Sequence, residues 1–312
     1  MPFFASHDET VLYYDVLSDG AFSTDALPTN AAGPDARPPL IVLAGGPARH
    51  PSYLGDLAGL TRSRTLVVLH QRGVGDSAPS PTARAATWPE LAEDVEALRE
   101  HLGLATIELL GHSAGTRVAL SYAARYPDRL ASLCLVTPPA HWLVGTPDSS
   151  ANDDSAPDDS APDDSAAIVA AHQNEPWFAD YLEHRAAALA AASAAEANRL
   201  FAFIAPTAWA AWTPAAQRHE EIGARHPDAQ DRFFSGADPT GITAGLGQVR
   251  CPVLVVAGAQ DGLTGHAPVL AVAELFDRGR AATIQQAGHY PWVERPAEFA
   301  AVLSEFYAAE LY

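Results

Sequence analysis

The most informative stretch of the chain reads Leu109-Leu110-Gly111-His112-Ser113-Ala114-Gly115-Thr116. A mostly apolar, strand-like run precedes its first glycine, and a helical pattern extends from Ala114 to about Tyr126. A strand, a Gly-x-Ser-x-Gly turn and a helix, in that order, are typical of a nucleophile elbow. Glycines allow close packing of backbone around such a turn, and the helix N-terminus directs its N–H groups at the serine. The stretch therefore predicts that Ser113 is a nucleophile; the alternative is a chance match of common residues.

Two later segments carry groups that would activate a serine hydroxyl. Asp261 follows the apolar run 253–257, and His289 follows a short strand pattern at 282–284. A serine nucleophile needs a base within hydrogen-bond reach and a third group that orients this base. In this layout the acid and the histidine come after the serine, each at the carboxyl end of a later strand. We therefore predict that His289 is the base and that Asp261 orients it; the alternatives are a turn aspartate and a structural histidine.

The glycines that follow the apolar run 40–43 predict an oxyanion hole. Such a site uses backbone N–H groups, because negative charge develops on the carbonyl oxygen in the transition state. We expect one N–H group from Ala114, directly after the nucleophile, and the other from Gly46, since Pro47 has none. The alternative is that these glycines only permit a tight turn.

Apolar runs alternate with helical patterns along most of the chain. The runs at 40–43, 65–69, 107–110, 133–136 and 253–257 have the length and composition of strands that are covered on both faces. This alternation predicts an α/β fold, with a mostly parallel sheet and helices on both faces. Thr87 and Glu90 have the spacing of a capping box, which predicts that a helix starts there.

Between residues 140 and 247 the alternation stops, and the sequence becomes Ala-rich, aromatic and helical in composition. We therefore predict a core domain made of residues 1–139 and 248–312, with an inserted helical cap over 140–247. Within the cap, an Asp-Asp-Ser-Ala-Pro repeat at 148–167 can bury little apolar surface, so we expect it to be disordered. A calcium site is the alternative, but the repeat lacks the glycine and the distal glutamate of an EF-hand loop.

Composition excludes several classes of function. The 312 residues carry a formal net charge of -19, and every one of the 19 Lys+Arg residues is an arginine. So acidic a chain has no basic surface for phosphates, and we expect neither a nucleic-acid nor a membrane partner. The absence of lysine excludes a Schiff-base mechanism. We expect no metal and no cofactor, because His219, Glu220 and His226 lack the His-Glu-x-x-His spacing and no dinucleotide motif is present.

The sequence also indicates a compartment. Cys134 and Cys251 each adjoin an apolar run, as small buried thiols do, and two such thiols favour a reducing environment. Residues 1–9 have neither a basic region nor a long apolar core, so we expect no signal peptide. No run approaches the ~18 apolar residues of a spanning helix. We expect a cytoplasmic protein.

Together these segments resemble the α/β-hydrolase superfamily, and most of all its proline iminopeptidase-like branch. The resemblance is carried by Gly45-Gly46-Pro47, Gln71-Arg72-Gly73-Val74-Gly75-Asp76-Ser77, Gly111-His112-Ser113-Ala114-Gly115, Asp261 and Gly288-His289. The branch usually reads His-Gly-Gly-Pro-Gly, Asp-Gln-Arg-Gly and Gly-Gly-Ser-Trp-Gly at the first three of these places. This chain differs there, notably at Ala44, Ala48, His70 and Ala114.

The resemblance implies the α/β-hydrolase fold and removal of an N-terminal residue, often proline, from peptides. It also implies that carboxylates of the cap hold the substrate amine; the candidates are Glu175, Glu183, Glu196, Glu220 and Glu221. We therefore expect a serine hydrolase that cleaves a small amide or ester of a small molecule or short peptide through an acyl-enzyme. An esterase or lactonase with the same triad, and a non-catalytic binding protein of the same fold, are the alternatives.

Overall fold

The computed structural model describes residues 2–18, 21–23, 38–144 and 163–309. In this part of the chain a nine-stranded sheet has the order β1-β2-β5-β4-β6-β7-β8-β9, with β3 paired to β2. The strands are β1 (Phe3–Ala5), β2 (Val11–Ser18), β3 (Ala21–Ser23), β4 (Leu40–Leu43), β5 (Leu66–Leu69), β6 (Ile107–His112), β7 (Leu130–Val136), β8 (Val253–Gly258) and β9 (Gly279–Ile284). The strands from β5 to β9 in this order pair in parallel, whereas β1, β2 and β3 pair antiparallel.

Helices cover the sheet and fill the segment between β7 and β8. They are α1 (Ala92–His101), α2 (Ala114–Arg125), α3 (His141–Val144), α4 (Ser165–Ala170), α5 (Phe178–Leu189), α6 (Ala194–Ile204), α7 (Pro214–Glu220), α8 (Pro227–Phe234), α9 (Ile242–Leu246), α10 (Ala267–Ala271), α11 (Pro291–Glu294) and α12 (Pro296–Ala309). Helices α3 to α9 occupy the stretch where the sequence predicts an inserted cap. The division into core and cap at 139/140 and 247/248 stays a prediction.

The central strands are apolar throughout because both of their faces are buried. Side chains alternate between the faces of a strand, and Leu109 lies in one hydrophobic cluster with α1 and α2. Leu110 points the other way, into a second cluster that contains Phe299 and Leu303 of α12. The predicted arrangement, a mostly parallel sheet with helices on both faces, is therefore confirmed. The carboxyl ends of these strands carry the site described below.

The predicted capping box is wrong. Thr87 does not cap a helix, because its hydroxyl donates backwards to the carbonyl of Arg84 at 2.9 Å. Its own carbonyl accepts from the N–H groups of Glu90 and Leu91, which makes a turn. Helix α1 begins only at Ala92.

The expected disorder of the acidic repeat at 148–167 needs a correction at its end. Residues 148–162 lie outside the described residues, whereas 163–167 are described and lead into α4. The Asp164 carboxylate accepts from the N–H groups of His266, at 2.7 Å, and of Ala267, at 3.1 Å. The last copy of the repeat is thus ordered by contacts with another part of the chain, which composition does not show.

Candidate active site

The Gly-x-Ser-x-Gly turn forms a tight junction between β6 and α2. Ser113 has φ 51° and ψ -124°, which is strained backbone for a residue with a side chain. The strain is maintained by close packing against the loop after β4. A Cβ atom on Gly115 would lie 2.5 Å from the Leu43 carbonyl oxygen, and one on Gly45 would lie 2.7 Å from the Ser113 Cβ. Glycine is therefore required at both places, as the elbow interpretation predicts.

Ser113, His289 and Asp261 form one hydrogen-bonded chain. The His289 Nε2 atom lies 2.8 Å from the Ser113 hydroxyl oxygen, and its Nδ1 atom lies 2.7 Å from Oδ2 of Asp261. The aspartate and the histidine are buried, and Ser113 is half-buried. With Nδ1–H donating to the carboxylate, Nε2 is left to accept the serine proton. The structure thus brings together the three residues that the sequence singles out.

The turn after β8 holds the Asp261 carboxylate. Its Oδ1 accepts from the N–H groups of Leu263 at 2.9 Å and Thr264 at 3.3 Å. The Thr264 hydroxyl lies 2.5 Å from Oδ2, the same oxygen that faces His289. These donors and the charge-assisted contact with the imidazole satisfy a carboxylate that has no access to water.

Glu294 holds the backbone of the histidine loop. Its Oε2 accepts from the Gly288 N–H at 2.6 Å, and its Oε1 accepts from Ala210 in the segment before α7 at 2.9 Å. The next N–H group, that of His289, donates to Ala208 at 2.7 Å. Burial raises the pKa of Glu294 to about 7. Sequence reasoning missed this residue, because no local pattern marks it.

His112 and Tyr53 link the β4 loop to the histidine. The Tyr53 hydroxyl accepts from the Gly45 N–H at 2.6 Å and lies 2.7 Å from Nδ1 of His112. Nε2 of His112 lies 3.1 Å from the carbonyl oxygen of His289. Burial lowers the pKa of His112 well below its usual range, so the ring is neutral: Nδ1 accepts from the tyrosine and Nε2–H donates to the carbonyl.

The two predicted oxyanion donors lie on adjacent segments. The loop carrying Gly45 and Gly46 packs on the elbow, where an added Cβ on Gly45 would lie 3.2 Å from the Ala114 nitrogen. Ala114 is the first residue of α2, and the first N–H groups of a helix have no intrahelical acceptor. Gly45 donates to Tyr53, so Gly46 is the glycine left for an oxyanion. Their role stays a prediction.

Arg49 connects the loop after β4 to residues 219–222, which belong to the predicted cap. It is 2% exposed, and its guanidinium donates to the carbonyls of His219 at 2.7 Å and Ile222 at 2.9 Å. It also lies 3.4 Å from the Glu220 carboxylate and donates to the Tyr290 hydroxyl at 3.0 Å. The sequence does not mark this arginine either, since its partners lie more than 160 residues away.

The glutamates proposed to hold a substrate amine have different surroundings. Glu220 is engaged by Arg49, Arg225 and the Trp209 indole N–H, and Glu196 accepts from Ala192 at the start of α6. Three others are exposed: Glu175, Glu183 and Glu221. Within the described residues, no hydrogen bond joins any of the five to Ser113, His289 or Asp261. The structure therefore assigns none of them to an amine.

Neither a metal-binding group nor a membrane-spanning helix is found in the described residues. Across 2–18, 21–23, 38–144 and 163–309, His, Cys, Asp and Glu side chains form no group of three or more that could hold a metal ion. No helix in the same residues is long and apolar enough to span a membrane.

Comparison with known proteins identifies the fold family. A family model described as alpha/beta hydrolase fold matches residues 38–296. A proline iminopeptidase of Heyndrickxia coagulans is 24% identical over 269 residues, 86% of this chain and 90% of the relative. The first curated relatives, proline iminopeptidases of Lactobacillus helveticus, are covered over only 35% of their length.

Two solved structures illustrate the shared fold. The proline iminopeptidase of Mycobacterium smegmatis has a TM-score of 0.65 and 22% identity, over 99% of this chain and 97% of that chain. A thermophilic esterase from Thermogutta terrifontis has a TM-score of 0.60 and 20% identity, also over 99% and 97%. Identities this low show the fold alone. The predicted α/β-hydrolase fold and the resemblance to proline iminopeptidases are confirmed. Because the family model spans most of the sequence, the chain belongs to the alpha/beta hydrolase fold family.

Proposed function

We propose that the protein is a serine hydrolase that cleaves a small amide or ester through an acyl-enzyme on Ser113. The observation that carries this proposal is the hydrogen-bonded chain from Ser113 through His289 to Asp261. A hydroxyl is a weak nucleophile until a base accepts its proton, and a buried carboxylate stabilises the imidazolium that forms. A binding protein has no need for this geometry together with a strained serine.

The residues act in two half-reactions. Ser113 Oγ attacks the substrate carbonyl while its proton moves to His289 Nε2, and the tetrahedral oxyanion is held by the N–H groups of Ala114 and Gly46. His289 then gives the proton to the leaving amine or alcohol, which leaves Ser113 acylated. Water repeats the sequence with the same base and releases the acid. No cofactor takes part.

The finer proposal is removal of an N-terminal residue from a short peptide. It is supported by the similarity to the proline iminopeptidase of Heyndrickxia coagulans over most of both chains. An ester or lactone would use the same triad, because the triad geometry acts on the acyl carbon and does not select the leaving atom. We further propose that the reaction takes place in the cytoplasm and that its substrate is a small molecule or a short peptide.

A paired rate assay tests both levels of the proposal. Purified protein would be given proline β-naphthylamide and, separately, a short-chain p-nitrophenyl ester, with Ser113→Ala as the control. We expect Ser113→Ala to lower turnover by roughly 10³-fold or more. Labelling by a fluorophosphonate, which needs an activated serine, provides a second measure.

The outcomes separate the hypotheses. Preference for the prolyl amide would support the peptidase, and turnover of the ester alone would assign an esterase or lactonase. Wild-type protein that neither turns over a substrate nor takes up the label would overturn the hydrolase and leave a binding protein.

A further inference from the structure

A second group of side chains lies one helical turn beyond Ser113. The Arg117 guanidinium carbon is 5.5 Å from the ring centroid of Trp88, 5.1 Å from that of Trp142 and 5.6 Å from that of Phe234. Three different elements thus place aromatic rings around one cation of α2. Phe234 is 48% exposed, so the group is open to solvent on the side of α8.

The guanidinium has no anion among the residues that the structure describes. Arg117 forms no ion pair with a described carboxylate, and burial alone lowers its pKa to about 10. A partly desolvated cation without a counterion is unfavourable, and contact with ring faces offsets only part of that cost. The site therefore favours an anion.

A neutral donor beside the guanidinium also favours a ligand that accepts hydrogen bonds. The Nε1–H of Trp142 is buried and has no acceptor within the described residues. A buried donor without an acceptor costs stability, and here it lies on the ring that packs against Arg117. Two donors and no acceptor indicate a ligand that only accepts hydrogen bonds.

The group is also close to the reacting centre. Helix α2 begins directly after Ser113, so Arg117 lies about one turn, or ~5.4 Å of rise, along it. Trp142 follows β7, and the carbonyl of Val136 at the end of that strand accepts from the Ser113 N–H at 2.9 Å. Both side chains thus come from segments that adjoin the Ser113 turn.

We propose that Arg117 and Trp142 form a subsite for a carboxylate group of the substrate. The proposal rests on the proposed function and narrows it to substrates that carry a free carboxylate near the scissile bond. A carboxylate accepts two bonds from a guanidinium in parallel, and the aromatic rings strengthen those bonds by limiting the access of water.

Substrate pairs in which one member lacks this carboxylate test the subsite. One pair is Pro-Gly and Pro-Gly amide, with the carboxylate on the leaving side. The other is mono-p-nitrophenyl glutarate and p-nitrophenyl butyrate, with the carboxylate on the acyl side. In at least one pair we expect Arg117→Gln to lower kcat/KM of the anionic member by about tenfold or more and that of the neutral member by less than about threefold.

Two further variants make the comparison specific. Arg117→Lys keeps the charge and should retain part of the preference. Arg185→Gln removes another arginine that faces an aromatic ring, Tyr181, on the exposed side of α5, and should leave both pairs unchanged. Equal losses for both members of each pair, or no preference in the wild type, would overturn the subsite and leave the hydrolase proposal standing.

A binding measurement makes the test independent of turnover. Calorimetric titration of Ser113→Ala protein with glutarate should show binding that glutaramide does not, and Arg117→Gln should weaken glutarate binding about tenfold. If no substrate reacts but this difference is found, the subsite stands although the proposed reaction fails. If no substrate reacts and glutarate does not bind, both the subsite proposal and the proposed reaction are overturned.

The aspartates of residues 148–162, which follow α3, are the alternative source of a carboxylate for Arg117. A variant without residues 148–162 distinguishes it from the substrate. We expect the same preference for anionic substrates in the intact protein and in this variant. A preference that arises only after the deletion would show that the aspartates of the chain occupy Arg117 and would overturn the proposal.

Discussion

At the scale of single residues, Glu294 is a carboxylate whose charge is disfavoured by burial but whose oxygens bind two backbone N–H groups. The loop that carries His289 contributes the Gly288 N–H group, which would be left without a partner if Glu294 were apolar. The carboxylate satisfies this group and Ala210 with separate oxygens, yet burial disfavours its charge. Protonation makes one oxygen a donor and a weaker acceptor, so the ionised form binds both N–H groups more strongly.

We expect Glu294 to make the stability of the protein depend on pH. Its pKa rises from 4.5 to about 7 on folding, so the folded state binds the proton more tightly than the unfolded chain does. The free energy of unfolding should therefore fall by about 3 kcal/mol as the pH rises from about 4.5 to 7, and Glu294→Gln should lack this component. Urea unfolding of both proteins at pH 5 and pH 8 measures it.

The control for this experiment is Glu298→Gln, which removes an exposed carboxylate from α12. Its stability relative to the wild type should be the same at both pH values. If the difference between wild type and Glu294→Gln were also independent of pH, the pKa of Glu294 would not be raised in the folded protein.

Sequence reasoning reached the residues that carry a local signature. Ser113, Asp261 and His289 could be found because each follows a recognisable strand, and their chain order restricts the choice. Glu294 and Tyr53 act through contacts with segments far along the chain, and nothing in their neighbourhood distinguishes them from ordinary helix or loop residues. Long-range partners of this kind are visible only once the chain is folded.

At the scale of elements, Asp164 is a cap supplied from outside the helix it serves. Helix α10 starts at Ala267, and the side chain of its own N-cap residue, His266, does not cap the helix. The carboxylate of Asp164 accepts from both of these N–H groups instead. Val169 of α4, one turn later, packs where a Cβ on Gly262 would lie, next to Asp261. The end of the acidic repeat thus supports the turn that holds the catalytic acid candidate.

We expect Asp164→Ala to destabilise the protein by about 1 kcal/mol, the usual effect of losing a helix cap. Asp159→Ala is the matched control, because it changes the equivalent residue of the preceding repeat, where the sequence predicts little buried surface. Thermal unfolding of both variants measures the difference. Equal melting temperatures for the two variants would contradict the capping role.

Local patterns predict elements less well than they predict motifs. The strands could be read from apolar runs because two buried faces demand such runs. The Thr87–Glu90 pattern failed because a capping box describes only side chains near one helix end, whereas the turn before α1 uses the Thr87 hydroxyl for Arg84. Similarly, composition predicts disorder for Asp164 although α10 provides it with partners.

At the scale of the whole molecule, Arg49 joins the loop after β4 to residues 219–222, which belong to the predicted cap. Backbone pairing supports it on both sides, because His50 donates to Ala224 at 2.7 Å and His226 donates to Ala48 at 3.0 Å. The arginine also lies over the Tyr53 ring, 4.4 Å from its centroid. One buried side chain therefore contacts the cap and two aromatic residues of the core.

We expect Arg49→Met to lower the free energy of unfolding by about 3 kcal/mol, because it removes the buried guanidinium that donates to the His219 and Ile222 carbonyls and that is one of three partners of Glu220. Arg250→Met removes an exposed ion pair with Asp277 and should cost less than about 1 kcal/mol. Urea unfolding compares the two variants. Equal destabilisation would show that the cap is held by its other contacts.

The loop after β4 carries both the proposed oxyanion donor, Gly46, and the buried Arg49, which are only three residues apart. An added Cβ on Gly46 would lie 2.7 Å from the Arg49 nitrogen, so the two residues are packed closely together. Arg49 contacts residues 219 and 222, so we propose that a shift of this segment would alter the position of the Gly46 N–H group, the proposed donor to the oxyanion. We therefore expect the fit of a substrate beneath the predicted cap to affect kcat as well as KM.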